Sequence, residues 1–451
     1  MALVLLLLWP LAAFGGRSAT TAVPFSLSCI LFALVFRPWL GSARHGALRA
    51  LDLALLAIAL LTLVQAVPAP RPVVHALSPH AAAVRLALTL DASAVPAWLP
   101  LSIDDQATIW ASLVAIGAIA LFFAARAMFV SGGVRRAVRG ISAIGLAVSG
   151  VAVAQAATAG RMIYWHFPTE YEGPLPFGPF VNRNHFATWT IMAAPVCLGY
   201  IFARANKPGA AYAGLVHRRT RLARMVDGRT LWLTAAGAAM IGALLVSLSR
   251  SGIVSLAGAA IVSALLLRQR SAPGRGWWLA AALVLTIGLG ISRADLPALA
   301  DRFTRSGSSV ENRLRIWRDT RPVVRDFWLI GTGVGTYRTA MLYYQRSERV
   351  VQFNQAHNHY LQATAEGGMV LLGLIGCACI ALARAVRERL SSDTAGTYWI
   401  RAGAATGLLA VALQSLWETG LVMPANAALA AVLAALAVHE RPKAEKSIFM
   451  D

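Results

Sequence analysis

Apolar runs of about 16–22 residues recur along the whole chain, and that recurrence limits the fold more than any single motif does. A run of that length crosses roughly 30 Å of hydrocarbon as one helix. Twelve candidate spans follow: 2–16, 21–38, 50–67, 107–128, 140–158, 185–203, 231–248, 252–267, 277–292, 368–386, 402–419 and 424–438. With 57% hydrophobic and only 14% charged residues, and a mean hydropathy of +0.61, the chain cannot present the surface of a water-soluble enzyme. The expected fold is an all-α polytopic membrane protein of about twelve transmembrane helices. The first run has no basic residue ahead of it and no small-residue cleavage site, so it reads as a short first span and not as a secretory signal. Cys29, Cys197, Cys377 and Cys379 all lie inside apolar runs, where they behave as small hydrophobes and indicate no disulfide framework or metal set.

The formal net charge is +21, but the basic residues sit between apolar runs and form no long tail or arm, which argues against nucleic acid as a partner. Membrane topology and an anionic substrate explain them better. The connections 37–49, 126–139, 204–229, 268–275 and 384–401 and the C-terminal tail carry 3, 4, 7, 3, 4 and 3 basic residues. Basic residues near span ends resist translocation, so these belong in the cytoplasm together with both termini. The other side receives 68–106, 159–184, the tight turn 249–251 and the 74-residue stretch 293–366. The chain then divides into helices 1–5 with their outer loops (1–184), helices 6–9 (185–292), a large, partly helical outer loop (293–367), and helices 10–12 with the tail (368–451).

The long stretch holds eleven arginines and no lysine against seven acidic residues. Solvated helix faces with i,i+4 pairs such as Asp301 with Arg305 account for part of this. The absence of lysine also suits phosphate binding, because a planar guanidinium makes bidentate contacts that an ammonium does not. Arg250 lies in Ser247-Leu248-Ser249-Arg250-Ser251-Gly252 at a membrane edge. It reads either as a snorkelling interfacial cation or as a ligand-binding one, and the neighbouring serines and Gly252 favour the second. Glu311 to Asp319 reads as a short amphipathic surface helix, with Leu314 and Trp317 toward the interface and Arg313 and Arg315 turned elsewhere. Gly331-Thr332-Gly333-Val334-Gly335-Thr336-Tyr337 lacks the βαβ context of a dinucleotide loop and reads as a flexible turn that brings backbone amides near a ligand.

Gln355-Ala356-His357-Asn358-His359-Tyr360-Leu361-Gln362, with Glu366 beyond, is the densest polar cluster. As a helix it would set His359, Gln362 and Glu366 on one face, and His357, Leu361 and Thr364 on another. Histidine is a ready proton acceptor near neutrality, so a base role is reasonable. His357, His359 and Glu366 also offer zinc donors, but no clear further ligand accompanies them, and a metal-free site is preferred. Asn182-Arg183-Asn184-His185 opens the sixth span, where Asn can cap a helix and Arg183 and His185 can line a site. Ser102-Ile103-Asp104-Asp105 reads as a capping box. Glu418 ends the eleventh span and calls for an arginine, with Arg250 and Arg313 as candidates.

Taken together and in order, Ser-Leu-Ser-Arg-Ser-Gly at 247–252, Asn-Arg-Leu-Arg-Ile-Trp at 312–317, Gly-Thr-Gly-Val-Gly-Thr-Tyr at 331–337 and Ala-His-Asn-His-Tyr-Leu-Gln at 356–362 with Glu366 and Gly368 resemble the O-antigen ligase and O-antigen polymerase family of bacterial envelope proteins. The resemblance runs over roughly residues 180–425. It implies a C-type membrane fold and a metal-independent, cofactor-free, inverting glycosyltransferase of the bacterial inner membrane, with its active site facing the periplasm. Such an enzyme moves a glycan from undecaprenyl pyrophosphate to a sugar hydroxyl, on the lipid A core for a ligase or on another glycan for a polymerase. By this resemblance Arg250 and Arg313 would hold the pyrophosphate and His357 would be the catalytic histidine. Arg315, Asn358, His359, Glu366, Arg183, His185 and Glu418 would line the substrate site. Two other readings compete: a ligase that glycosylates protein, and a twelve-span transporter or flippase. The latter fits less well because the polar residues crowd one face and the long loop has no counterpart in the other half.

Overall fold

The computed structural model describes residues 1–16, 18–37, 46–88, 97–169, 175–205, 227–267, 306–347, 350–393 and 397–440. Eight helices among them are long and apolar enough to cross a membrane. These are α2 (Ala19–Phe36), α3 (Gly46–Ala66), α6 (Asp105–Val130), α7 (Val134–Thr158), α8 (Arg183–Ala205), α9 (Gly228–Val246), α10 (Arg250–Leu267) and α13 (His359–Ser392). Shorter apolar helices α1 (Ala2–Ala12) and α15 (Pro424–Val438) pack with them, as does α14 (Thr397–Gln414). The ninth expected span, 277–292, and the Asp301–Arg305 pair lie outside the described residues. The chain is an all-α polytopic membrane protein.

The described helices alternate in direction, so that their termini gather at two ends of the bundle. At one end lie the finish of α3, α7, α9 and α14 and the start of α6, α8, α10 and α15. The described extramembrane helices and strands are built there. Residues 68–103 contribute α4 (Arg71–Leu77), α5 (Ala81–Leu88) and an antiparallel pair, β1 (Pro68–Pro70) with β2 (Trp98–Pro100). Residues 306–344 contribute α11 (Ser306–Asp326) and α12 (Tyr337–Tyr344). These two stretches share one apolar core, including Val74, Leu99, Val323, Phe327, Tyr337 and Met341. A second small pair, β3 (Met162–Ile163) with β4 (Phe167–Pro168), follows α7.

Among the eight long described spans helix α8 is the most enclosed, with Phe186, Trp189 and Met192 fully buried. It runs antiparallel to α14 at backbone contact distance: a Cβ on Gly199 would overlap the Trp399 carbonyl, and one on Gly403 would overlap the Pro195 carbonyl. Small residues permit this approach, which in lipid replaces the missing hydrophobic drive with van der Waals packing. Its consequence is positional, because the first turn of α8 is held against the residues that follow α14.

Two sequence expectations require correction. The eleventh span does not reach residue 419: helix α14 stops at Gln414, and Ser415 to Glu418 form a turn ahead of the 3-10 segment Gly420–Val422. The cluster at 355–362 is helical only from His359, because Asn358 is extended and its Oδ1 accepts the Leu361 amide at 3.0 Å. His357 therefore lies outside the helix with φ of +49° and shares no face with Leu361 and Thr364. Helix α13 also breaks at Gly368, where φ is +63°. The Met369 and Val370 amides there bond to the Trp328 and Leu329 carbonyls instead of their own helix.

Candidate functional site

Among the described residues, Glu418 is the centre of a charged constellation at this end. Its side chain is 1% exposed, and three elements distant in sequence converge on it. Arg313, from the middle of α11, donates Nη2 to Oε1 at 2.7 Å. Asn184, in the first turn of α8, donates Nδ2 to the same oxygen at 2.6 Å. The His357 ring meets Oε2 through Nδ1 at 3.3 Å. Arg313 and His357 remain 24% and 32% exposed, so each carries a face toward open space while its other edge is tied down. Burial works to raise the Glu418 pKa, but His357, Arg313 and His185 outweigh it and hold the carboxyl below the ordinary carboxylate value.

The backbone around this carboxylate is braced on all sides. The His359 amide bonds the Ser415 carbonyl at 2.8 Å, which locks the start of α13 to the end of α14. Thr419 donates to Gln355 Oε1 at 2.7 Å, beside His357. Ser249 Oγ donates to Asn184 Oδ1 at 2.9 Å, and Gln414 Nε2 donates to Ser251 Oγ at 3.4 Å. Arg250, the half-buried first residue of α10, is thus flanked by two serines that are both wired to the Glu418 neighbourhood. Leu248 just before it adopts φ of +54°, the conformation that lets the α9–α10 connection turn this tightly.

The remaining residues expected at the site are dispersed or committed elsewhere. Arg183 begins α8 half-buried, and His185 is buried two residues further on, close enough to act electrostatically on Glu418. Arg315 pairs with Glu311 on its own helix and does not turn to Glu418. Leu314 is exposed as expected, whereas Trp317 turns inward and donates Nε1 to the Ala356 carbonyl. Asn358 serves as the α13 cap, and His359 Nδ1 is enclosed with no hydrogen-bond partner.

Glu366 belongs to a second network. Its carboxylate accepts the Gly335 and Tyr337 amides at 2.9 and 3.2 Å and Gln362 Nε2 at 3.1 Å. The glycine-rich turn therefore spends its amides internally and does not hold them out toward a ligand, contrary to expectation. Gln65, at the end of α3, completes this network by donating to the Ile330 and Glu366 carbonyls and accepting the Val334 amide. The three residues weighed for zinc are thereby split, His357 at Glu418 and Glu366 at the glycine turn. Among the described residues no group of three His, Cys, Asp or Glu side chains gathers to hold a metal.

Sequence reasoning missed Asn184 and Ser249 as direct members of the hub, although both stand in motifs noted for their neighbours. It missed Gln65 altogether, for which a lone amide at the end of an apolar run was the available signal.

A family model described as O-antigen ligase matches residues 235–376, which include Ser249, Arg250, Arg313 and His357. This stretch is similar to the O-antigen ligase family. The match stops short of Asn184 and Glu418, so the O-antigen ligase segment supplies the cationic and imidazole groups, and the flanking helices supply the carboxylate that orients two of them. No curated protein matches the chain. The similarity to O-antigen ligases and the apolar helices together support a multi-pass membrane enzyme of ligase or polymerase type.

Proposed function

We propose that the chain is a bacterial inner-membrane glycosyltransferase whose site faces the periplasm, moving a glycan from undecaprenyl pyrophosphate to a sugar hydroxyl of the lipid A core. The observation that carries this reading is the bridging of Arg313 and His357 by one buried carboxylate. A hydrogen bond from imidazole Nδ1 to Glu418 puts the ring proton on Nδ1 and leaves Nε2 as the acceptor, which is the tautomer a general base needs. Arg313, fixed by the other oxygen, and Arg250 at the head of α10 would bind the pyrophosphate.

In the proposed step the acceptor hydroxyl oxygen attacks C1 of the donor sugar from the face opposite the leaving group. Its proton passes to His357 Nε2 as the C1–O bond to pyrophosphate breaks, and the anomeric centre inverts. Pyrophosphate leaves with the bonding electrons, and the guanidinium groups stabilise the negative charge that grows on its bridging oxygen. No metal is assigned a role. Arg183 and His185 would line the acceptor side of the cluster.

A deletion strain tests the acceptor. The expected result is polymer still made on its lipid carrier and missing from lipid A, with restoration by the wild-type gene and not by His357→Ala. Loss of polymer altogether would assign the chain to the polymerase branch with the same chemistry. Normal polymer on lipid A would overturn both.

A further inference from the structure

At the end of the bundle remote from Glu418, a cavity of about 580 Å³ opens between α1, α6, α7 and α9. Leu3, Val4, Met128 and Trp232 form apolar walls, and Arg136 and Arg139 stand among the lining residues. The arginines sit in the first two turns of α7, the end at which a helix presents its uncompensated amides and positive dipole. Gly133 is the N-cap and supplies no side-chain cap, and the first turn holds no acidic residue. The preceding Gly132 and Gly133 have φ of +111° and +84°, and a Cβ on either would meet nothing within 4 Å.

Residues 126–139 carry four arginines and no carboxylate. Arg126 is engaged by Asp52. Among the described residues no carboxylate pairs with Arg135, Arg136 or Arg139. Guanidinium groups crowded at the positive end of a helix repel it and one another unless an anion lies among them. Retention of basic residues on one side of a membrane explains why the connection is basic, but not why an apolar cavity lies beneath those residues. A free inorganic anion would satisfy the arginines and leave the cavity walls against water.

We propose that this cavity holds one anionic phospholipid, its phosphate at Arg136 and Arg139 and an acyl chain along Leu3, Val4, Met128 and Trp232. The headgroup meets the cations and the α7 amides, the chain covers the apolar walls, and the Trp232 indole sits where amphipathic rings favour the headgroup level. The proposal is independent of the glycosyl-transfer reading, since it concerns the opposite end of the molecule.

The test compares thermal unfolding of the purified full chain in phosphatidylglycerol and phosphatidylcholine nanodiscs. The expected result is a midpoint several degrees higher in phosphatidylglycerol. That gain disappears in the Arg136→Ala/Arg139→Ala double variant and also in Ala143→Trp, which fills the cavity from an exposed lining position while keeping both arginines. Equal midpoints in the two lipids overturn the proposal. So does a gain that survives Ala143→Trp, which would mark diffuse surface attraction, and so does an equal gain from inorganic phosphate in phosphatidylcholine.

Discussion

Glu418 has more consequence than its single charge suggests, because it is buried and serves three donors at once. Replacing it by Gln keeps the shape and removes the charge, so Arg313 loses a charge-assisted bond and the His357 Nδ1 proton loses its anionic partner. The expected cost in stability is about 1.5–3 kcal/mol, the range for hydrogen bonds to charged groups. The expected loss in turnover is on the order of 10²–10⁴-fold, the usual worth of a correctly held general base. Since the folded-state pKa of Glu418 is depressed, its contribution is fully present above the ordinary carboxylate range. It disappears as pH falls below that range and through the lowered value. The difference in unfolding midpoint between wild type and Glu418→Gln should therefore be constant near neutrality and shrink in acid, as measured by thermal unfolding in detergent. A gap that widened in acid would contradict the depressed pKa. An arginine partner for Glu418 was legible in the sequence, because an acid at a span end demands one. His357's route to the same carboxylate was not legible, because the extended Asn358 cap sets that route and a helical reading of the whole cluster hides it.

At the scale of elements, the site depends on how closely α8 and α14 approach. Gly403→Ala would press a methyl group into the Pro195 carbonyl, and such overpacking costs roughly 1–3 kcal/mol. It should also reduce activity by moving Glu418 relative to Asn184. Gly373→Ala on α13 is the matched control, since its Cβ would meet nothing within 4 Å, and its unfolding midpoint and activity should remain those of the wild type. A second element-scale prediction concerns the glycine turn. Glu366→Ala leaves the Gly335 and Tyr337 amides without their acceptor, so it should lower the unfolding midpoint even though Glu366 does not touch Glu418. Unchanged stability in this variant would show that the turn is held by other contacts. Eight of the twelve expected spans, legible from apolar length alone, appear as helices long and apolar enough to cross a membrane among the described residues. The turn's internal bonding was not legible, because its acceptors come from Gln65 and Glu366, which no local pattern links to residues 331–337.

For the molecule as a whole, the charge rule and the gathering of connections at two ends make a joint prediction about sidedness. The 126–139 connection, with four arginines, joins α6 to α7 at the end remote from Glu418. The turn before His357 lies at the Glu418 end. If the basic connections face the cytoplasm, the hub faces the periplasm, where a lipid-linked donor and an envelope acceptor could meet. Asn354 and Ser131 are both exposed and lie at opposite ends. The native cysteines are all in spans, Cys29 and Cys197 buried and Cys377 and Cys379 on the apolar surface of α13, so a membrane-impermeant maleimide should label the wild type little. In intact cells with a permeable outer membrane, Asn354→Cys should be labelled readily, and Ser131→Cys only after the inner membrane is opened. The reverse pattern would turn the molecule over, put the Arg313–Glu418–His357 cluster in the cytoplasm, and remove the periplasmic transfer proposed for it. Labelling of both in intact cells would instead mean that the two connections share a side, which the alternating directions of α6 and α7 do not permit.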